Sequence, residues 1–300
     1  MTKHRFFTGV GNSAQPAHVA TAPPKRGRRL TQTFIALLKE AQFTNEMLGS
    51  GATQIRAANY AAKGVYFQAF TGLSTGLERI GKLSLMLDYY IDHSQTFPDS
   101  NYMKNQICHN LKLIYQQAKA IITKRSFSLQ FLKDLDDPIH EAIISVLSDF
   151  ALGDRYSNID LLVGARRHND PVASWFENVD KLIYQTKVRA KRKEKIKNNA
   201  AFIGSVLGPS AIVLHTSEAG DEIRDVEEAS KMTGIWHAVA PQRQLYVVQI
   251  IRYWVELLGL LQYEAMKLPG NDIPHFGEIF ALFYNEDSYI KTRRSFDKLR

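Results

Sequence analysis

Seven polar residues stand among apolar helical stripes in this sequence of 300 residues: Glu78, Arg79, His109, Asn110, Arg155, Asn158 and Asp160. An imidazole such as His109 can move a proton, and an arginine or lysine beside it can steady a developing negative charge. Arg155 and Lys104 are the cations that could serve His109 in this way. The same residue types, buried between helices, must pair with one another, because an unpaired buried polar group costs roughly 1–3 kcal/mol. The seven are therefore expected to form one hydrogen-bonded network, either fixing helix register or lining a cleft around Arg79, His109 and Arg155.

Other chemistry is weaker or absent. Cys108 and His109 are sequence neighbours; on one helix they would point about 100° apart and could not readily meet, so Cys108 reads as a small core residue. Asp88 and Asp92 share a helix face beside His93, but nothing supplies a matching pair of ligands, so no metal site is expected and the three read as a solvated helix end. His168 lies in a polar loop and reads as surface. There is no G-x-x-x-x-G-K-[ST], H-E-x-x-H or G-x-S-x-G, and no cofactor is called for. With one cysteine, the chain has no internal disulfide and no cysteine-based zinc site.

Charge is distributed unevenly. The net +8 comes from residues 1–39, which carry +7, from residues 187–197, which carry +6, and from the last ten, which carry +4; the remainder carries −9. Lys187, Arg189, Lys191, Arg192, Lys193, Lys195 and Lys197 can attract a polyanion such as RNA or DNA by Coulomb forces and counterion release. That run has no interleaved aromatic residue on which a base could stack. Residues 1–29 are rich in Gly and Pro and read as a disordered basic arm without a secretory signal. No apolar run is long enough for a membrane span, so no membrane partner is expected, and the cytoplasm is the expected location.

The elements that must position these residues are helical. Leu73, Leu77, Ile80, Ser84, Leu87 and Ile91 form one stripe, extended backward by Ala57, Ala58, Ala61 and Ala62 toward Gly51. Ile107, Leu111, Ile114, Ala118 and Ile121 form a second, and the short link predicts that the two helices lie antiparallel. Further helices are expected over about 128–150, 172–197, 241–261 and 275–284. Residues 200–216, around Gly208-Pro209, suit a small hairpin or a broken helix. The fold expected is mostly α: a helical bundle over 30–198 and a smaller C-terminal helical region over 199–300, with room for a short β-hairpin.

Gly76-Leu-Glu78-Arg79-Ile-Gly-Lys82-Leu-Ser-Leu-Met-Leu and Lys104-Asn-Gln-Ile-Cys-His109-Asn110-Leu-Lys-Leu-Ile-Tyr115 resemble the two central helices of HEPN domains, helical bundles named for nucleotide binding in higher eukaryotes and prokaryotes. Arg155 to Asp160 is similar to an Arg-Tyr-x-Asn-x-Asp element that follows in many bacterial proteins of this look. The resemblance covers about residues 54–184. It implies a bacterial protein in a defence or toxin–antitoxin setting. HEPN ribonucleases use an Arg and a His separated by four to six residues, the Arg standing five to seven positions earlier, with the His acting on the 2′-hydroxyl. None of the nine histidines here has that Arg, and only Lys104 falls in the window before His109. The resemblance therefore implies a non-catalytic or weakly catalytic HEPN-like protein that binds nucleic acid or a partner protein. The alternatives are a scaffold acting by oligomerisation, such as a homodimer, and a ribonuclease with an irregular site at His109.

Overall fold

Apolar residues at helical spacing fold here as a layer of helices around one long central helix. The computed structural model describes residues 30–106, 110–165 and 169–297, over which the chain is mostly α-helical. The elements in order are α1 (Gln32–Ala57), α2 (Gly64–Asp92), α3 (Ser100–Gln106), α4 (Leu111–Arg125), α5 (Pro138–Leu152), α6 (Ser157–Leu162), α7 (Pro171–Trp175), α8 (Lys181–Lys187), α9 (Ala190–Leu207), β1 (His215–Thr216), β2 (Glu222–Ile223), α10 (Val226–Met266), α11 (Phe276–Ile279) and α12 (Asp287–Thr292). The two strands pair antiparallel as a short hairpin. The N-terminal arm 1–29, Cys108, His109 and His168 lie outside the described residues.

Local chemistry explains the boundaries. Asn59 interrupts the alanine-rich stretch: its side chain accepts from the Ala61 amide, so α1 and α2 are separate helices rather than one running back to Gly51. Pro138 is the first residue of α5, with the Asp137 side chain capping the Ile139 amide, so 128–137 stays irregular. Asp170 caps α7 in the same way, and a π-helical turn over Phe176–Asp180 carries the chain into α8. Pro241 does not open a helix. It sits inside α10, which begins at Val226 behind an Asp225 cap.

From Thr31 onward the chain clusters as one unit. The expected division at 198/199 falls inside α9, and α10, from the C-terminal third, is the centre on which the N-terminal helices pack. Between Val239 and Leu258, α10 is buried on nearly every side, including Arg243, Gln244, Gln249, Arg252 and Glu256. Gln244 donates to the carbonyls of Ala52 and Arg294, at 2.9 and 3.1 Å. Arg252 donates to the Asn285 carbonyl at 2.6 Å and to Asp287 at 2.8 Å, with the Phe131 ring 4.2 Å away. Gln249 donates to the other Asp287 oxygen, so its own amide oxygen must accept from His140 Nε2, at 3.0 Å. Burial lowers the His140 pKa, which keeps that buried ring neutral.

Helices α2 and α4 advance in the same direction, not antiparallel. Gly81 faces Ile114, while Asp88 and Asp92 near the end of α2 meet Lys124 and Arg125 at the end of α4. Helix α3 lies in the link between α2 and α4. Helices α1 and α2 are the antiparallel pair, and they approach closely through glycines. A Cβ at Gly72 would stand 2.9 Å from the Met47 carbonyl oxygen, and one at Gly76 would stand 2.7 Å from the Leu48 side chain. Gly72→Ala should therefore force the two backbones apart and lower unfolding stability by about 1–3 kcal/mol in chemical denaturation. An alanine variant as stable as the parent would show that the helices can separate freely.

Candidate functional site

The basic face expected from the sequence lies on α9. Ile196 and Ala200 turn inward, with Ile196 packed against Gly234 of α10, and most of the remaining helix surface is exposed. Arg189, Lys191, Arg192, Lys195 and Lys197 are exposed, and none forms an ion pair among the described residues. The other two cations of the run are engaged. Lys187 lies 3.9 Å from Asp137 and over the Tyr246 ring, and Lys193 donates to the Gln185 carbonyl at 3.0 Å.

Lys191, Lys195, Phe202 and Val206 are spaced by four, seven and four residues, which places them on one stripe of α9. Phe202 is 66% exposed. The stripe is basic in its first turns and apolar in its last, and beyond it Ile212 and Leu214 are 86% and 88% exposed. From Lys195 to Ser217 there is no acidic residue. Where Gly208-Pro209 suggests a hairpin or a broken helix over 200–216, α9 instead continues to Leu207, and the stripe runs on unbroken.

The seven-residue polar network is not what the described residues form. Arg79 pairs through Nη1 with both oxygens of Glu40 on α1, each at 2.8 Å, and Glu78 pairs with Lys82 at 2.6 Å. Asn110 caps α4, accepting from the amides of Lys112 and Leu113, and takes a bond from Ser148 at 3.2 Å. Arg155 and Asn158 are exposed, with Arg155 over the Tyr156 ring, and Asp160 is half-buried on α6. The spread has a simple cause: these side chains find partners on their own helix or on an adjacent one, and α6 stands at the surface. Lys104 is exposed on α3, and His109 lies outside the described residues.

Asp88 and Asp92 are not free in solvent but form an ionic clasp. Lys124 reaches both carboxylates, and Arg125 donates to Asp88 Oδ1 at 2.5 Å and to Asp92 Oδ1 at 3.0 Å. Partial burial opposes ionisation of Asp92, yet the Lys124 bond and the Arg125 charge hold its carboxyl below the ordinary range. His93 stacks on Tyr89, with ring centroids 3.6 Å apart. No group of His, Cys, Asp or Glu suited to a metal ion occurs among the described residues.

The polar centre that the sequence did not reveal is built around Arg243. Its Nη1 donates to the Tyr66 hydroxyl and to Asp180 Oδ2, both at 2.8 Å, and its Nη2 donates to the Ala58 carbonyl. Trp175 Nε1 donates to Asp180 Oδ1 at 3.1 Å. The turn of the hairpin inserts Glu218 beside them, and all of these side chains are buried. The Tyr66 hydroxyl has one proton for two carboxylates, Asp180 at 3.3 Å and Glu218 at 3.4 Å. Asp180 is neutralised by the guanidinium, whereas Glu218 Oε2 has no hydrogen-bond partner among the described residues. Burial accordingly raises the Glu218 pKa. Tyr66, Asp180, Glu218 and Arg243 are far apart in sequence and share no motif, so no local signal marks them.

Comparison with protein-family models, with curated proteins and with solved structures gives no match.

Two outcomes test the buried centre. Arg243→Met leaves Asp180 without its counter-charge and should cost about 3–5 kcal/mol of unfolding stability. Glu218, with its pKa raised in the fold, favours the native state most when protonated, and that contribution is lost as pH rises from the ordinary glutamate range to the folded value. Glu218→Gln should therefore be more stable than the parent at pH 8, with the difference shrinking toward pH 4. Urea melts at the two pH values measure it, and a gap that widens on acidification would reverse the assignment.

Proposed function

We propose that this protein is a non-catalytic, HEPN-like helical protein that binds single-stranded nucleic acid along the exposed stripe of α9. The observation that carries the reading is the alignment of unneutralised Lys191 and Lys195 with exposed Phe202. Cations that track phosphates, followed by an aromatic ring on which a base can stack, are the two parts of a single-strand platform. Arg189, Arg192 and Lys197 widen the positive surface, which stands on an otherwise acidic body. The HEPN-like part of the reading rests on the residues that resemble that family, which lie on α2 and on α3–α4. A second reading, an anionic membrane surface, is favoured by the exposure of Ile212 and Leu214 next to the same lysines.

Full-length protein should bind a fluorescent RNA oligonucleotide more tightly at 50 mM than at 200 mM salt. Replacing Lys191, Arg192 and Lys195 together by Gln should weaken binding irrespective of base sequence and reduce the slope of log K against log salt by about 2. Phe202→Ala should cost roughly tenfold for single strands, in line with about 1–3 kcal/mol per stacked base, and much less for duplex. Binding that the triple variant leaves unchanged refutes the α9 site. Sedimentation with anionic vesicles, without affinity for RNA, establishes the membrane reading in its place.

A further inference from the structure

The hydrogen-bond ladder of α10 is interrupted at Pro241, which has no N–H to offer the preceding turn. Beside it lies a cavity of about 480 Å³ between the end of α1, the α10 segment 236–241 and the C-terminal segment at Arg294. No carboxylate lines this cavity, yet two guanidiniums do, those of Arg56 and Arg294. Arg56 is held in place: its Nη1 donates to Gln244 Oε1 at 2.8 Å and to the Arg293 carbonyl at 3.5 Å. Gln244 also donates to the Arg294 main-chain carbonyl, which anchors that backbone at the rim while the Arg294 side chain is exposed.

Among the described residues neither arginine pairs with a carboxylate. Burial, and then the charge of Arg294, bring the Arg56 guanidinium below its ordinary value. The fixed Arg56 guanidinium and that of exposed Arg294 repel each other at this cavity without a counter-charge, and an oxyanion placed there would relieve the repulsion, since the planar guanidinium fork matches carboxylate and phosphate oxygens. The remaining wall is mostly apolar. It includes Ala57, Pro241 and the Trp236 indole, with the His237 ring 4.3 Å from that indole. A volume of this size suits a small metabolite rather than a bare ion.

We propose that this cavity binds a small organic oxyanion, with its phosphate or carboxylate at Arg56 and Arg294 and its planar or apolar part against Trp236. None of its lining residues lies on α9, so the site stands independently of the nucleic-acid reading.

The test is calorimetric titration of the full-length protein with AMP, with inorganic phosphate and with benzoate at constant ionic strength, alongside the shift in melting temperature each produces. AMP or benzoate should bind at a stoichiometry of one and more tightly than inorganic phosphate, and which of the two prevails identifies the acid group. Arg294→Ala, an exposed position that need not disturb the fold, should weaken binding at least about tenfold. Arg56→Gln, checked for folding by circular dichroism, should do the same, while the α9 triple variant should leave it unchanged. The proposal is overturned if none of the three probes saturates by about 10 mM, or if binding survives in Arg294→Ala, or if it disappears in the α9 variant.

Discussion

Irregular backbone buried inside a protein must find hydrogen-bond partners, and here α10 supplies them. A helix satisfies its own amides and carbonyls, but the chain between helices does not. Gln244 meets the carbonyl of Arg294 and also that of Ala52 within α1, Arg243 meets that of Ala58, and Arg252 meets that of Asn285. Glu256 accepts from the amides of Gln130 and Phe131. The central helix thus carries long polar side chains where an apolar core would be expected. Each is placed where a loop, a helix end or the C-terminal segment comes inward. The buried Arg243–Asp180 pair belongs to this arrangement, and its desolvation is offset by the additional bonds from Tyr66 and Trp175.

The outer surface follows a different logic. Elsewhere basic side chains meet carboxylates on neighbouring elements, as in the clasp between α2 and α4. On α9 they do not. Its inward face needs only Ile196, Ala200 and Gly204 to sit against α10, the last with Glu227 Cβ near the position a Cβ would take. So small a footprint leaves most of the helix circumference available, and that space is filled by lysines, arginines and then apolar residues.

The sequence made the helical class legible, because the stripes on α2, α4 and α5 are local patterns. Leu73 to Ile91 needs no tertiary knowledge to be recognised. Helix direction was not legible. A short link between α2 and α4 suggested a hairpin, whereas the two helices advance in the same direction, with α3 in the link between them. Helix α1 carries no clear stripe, because its inner face mixes Ala41, Thr44, Gly49, Gly51 and Ala52 with only a few large apolar residues. Pro241 was misleading for a physical reason: a proline usually starts or ends a helix, but packing on both sides holds α10 together across it. The basic face of α9 could be read as a charge run. The Arg243 centre could not, since its partners meet only after folding.

Placing the central helix late in the chain also dictates an order of events during synthesis. Helices α1 and α2 can pair as soon as they emerge, since their contacts are close in sequence. Their inner surfaces, however, are completed by residues far downstream, as when Arg56 meets Gln244 across 188 positions. Until Val226–Met266 has left the ribosome, the first half of the protein has no axis to close on. Such long-range closure slows folding and leaves apolar surface uncovered in the meantime. The nascent chain is therefore a species that must be shielded from aggregation through most of its translation.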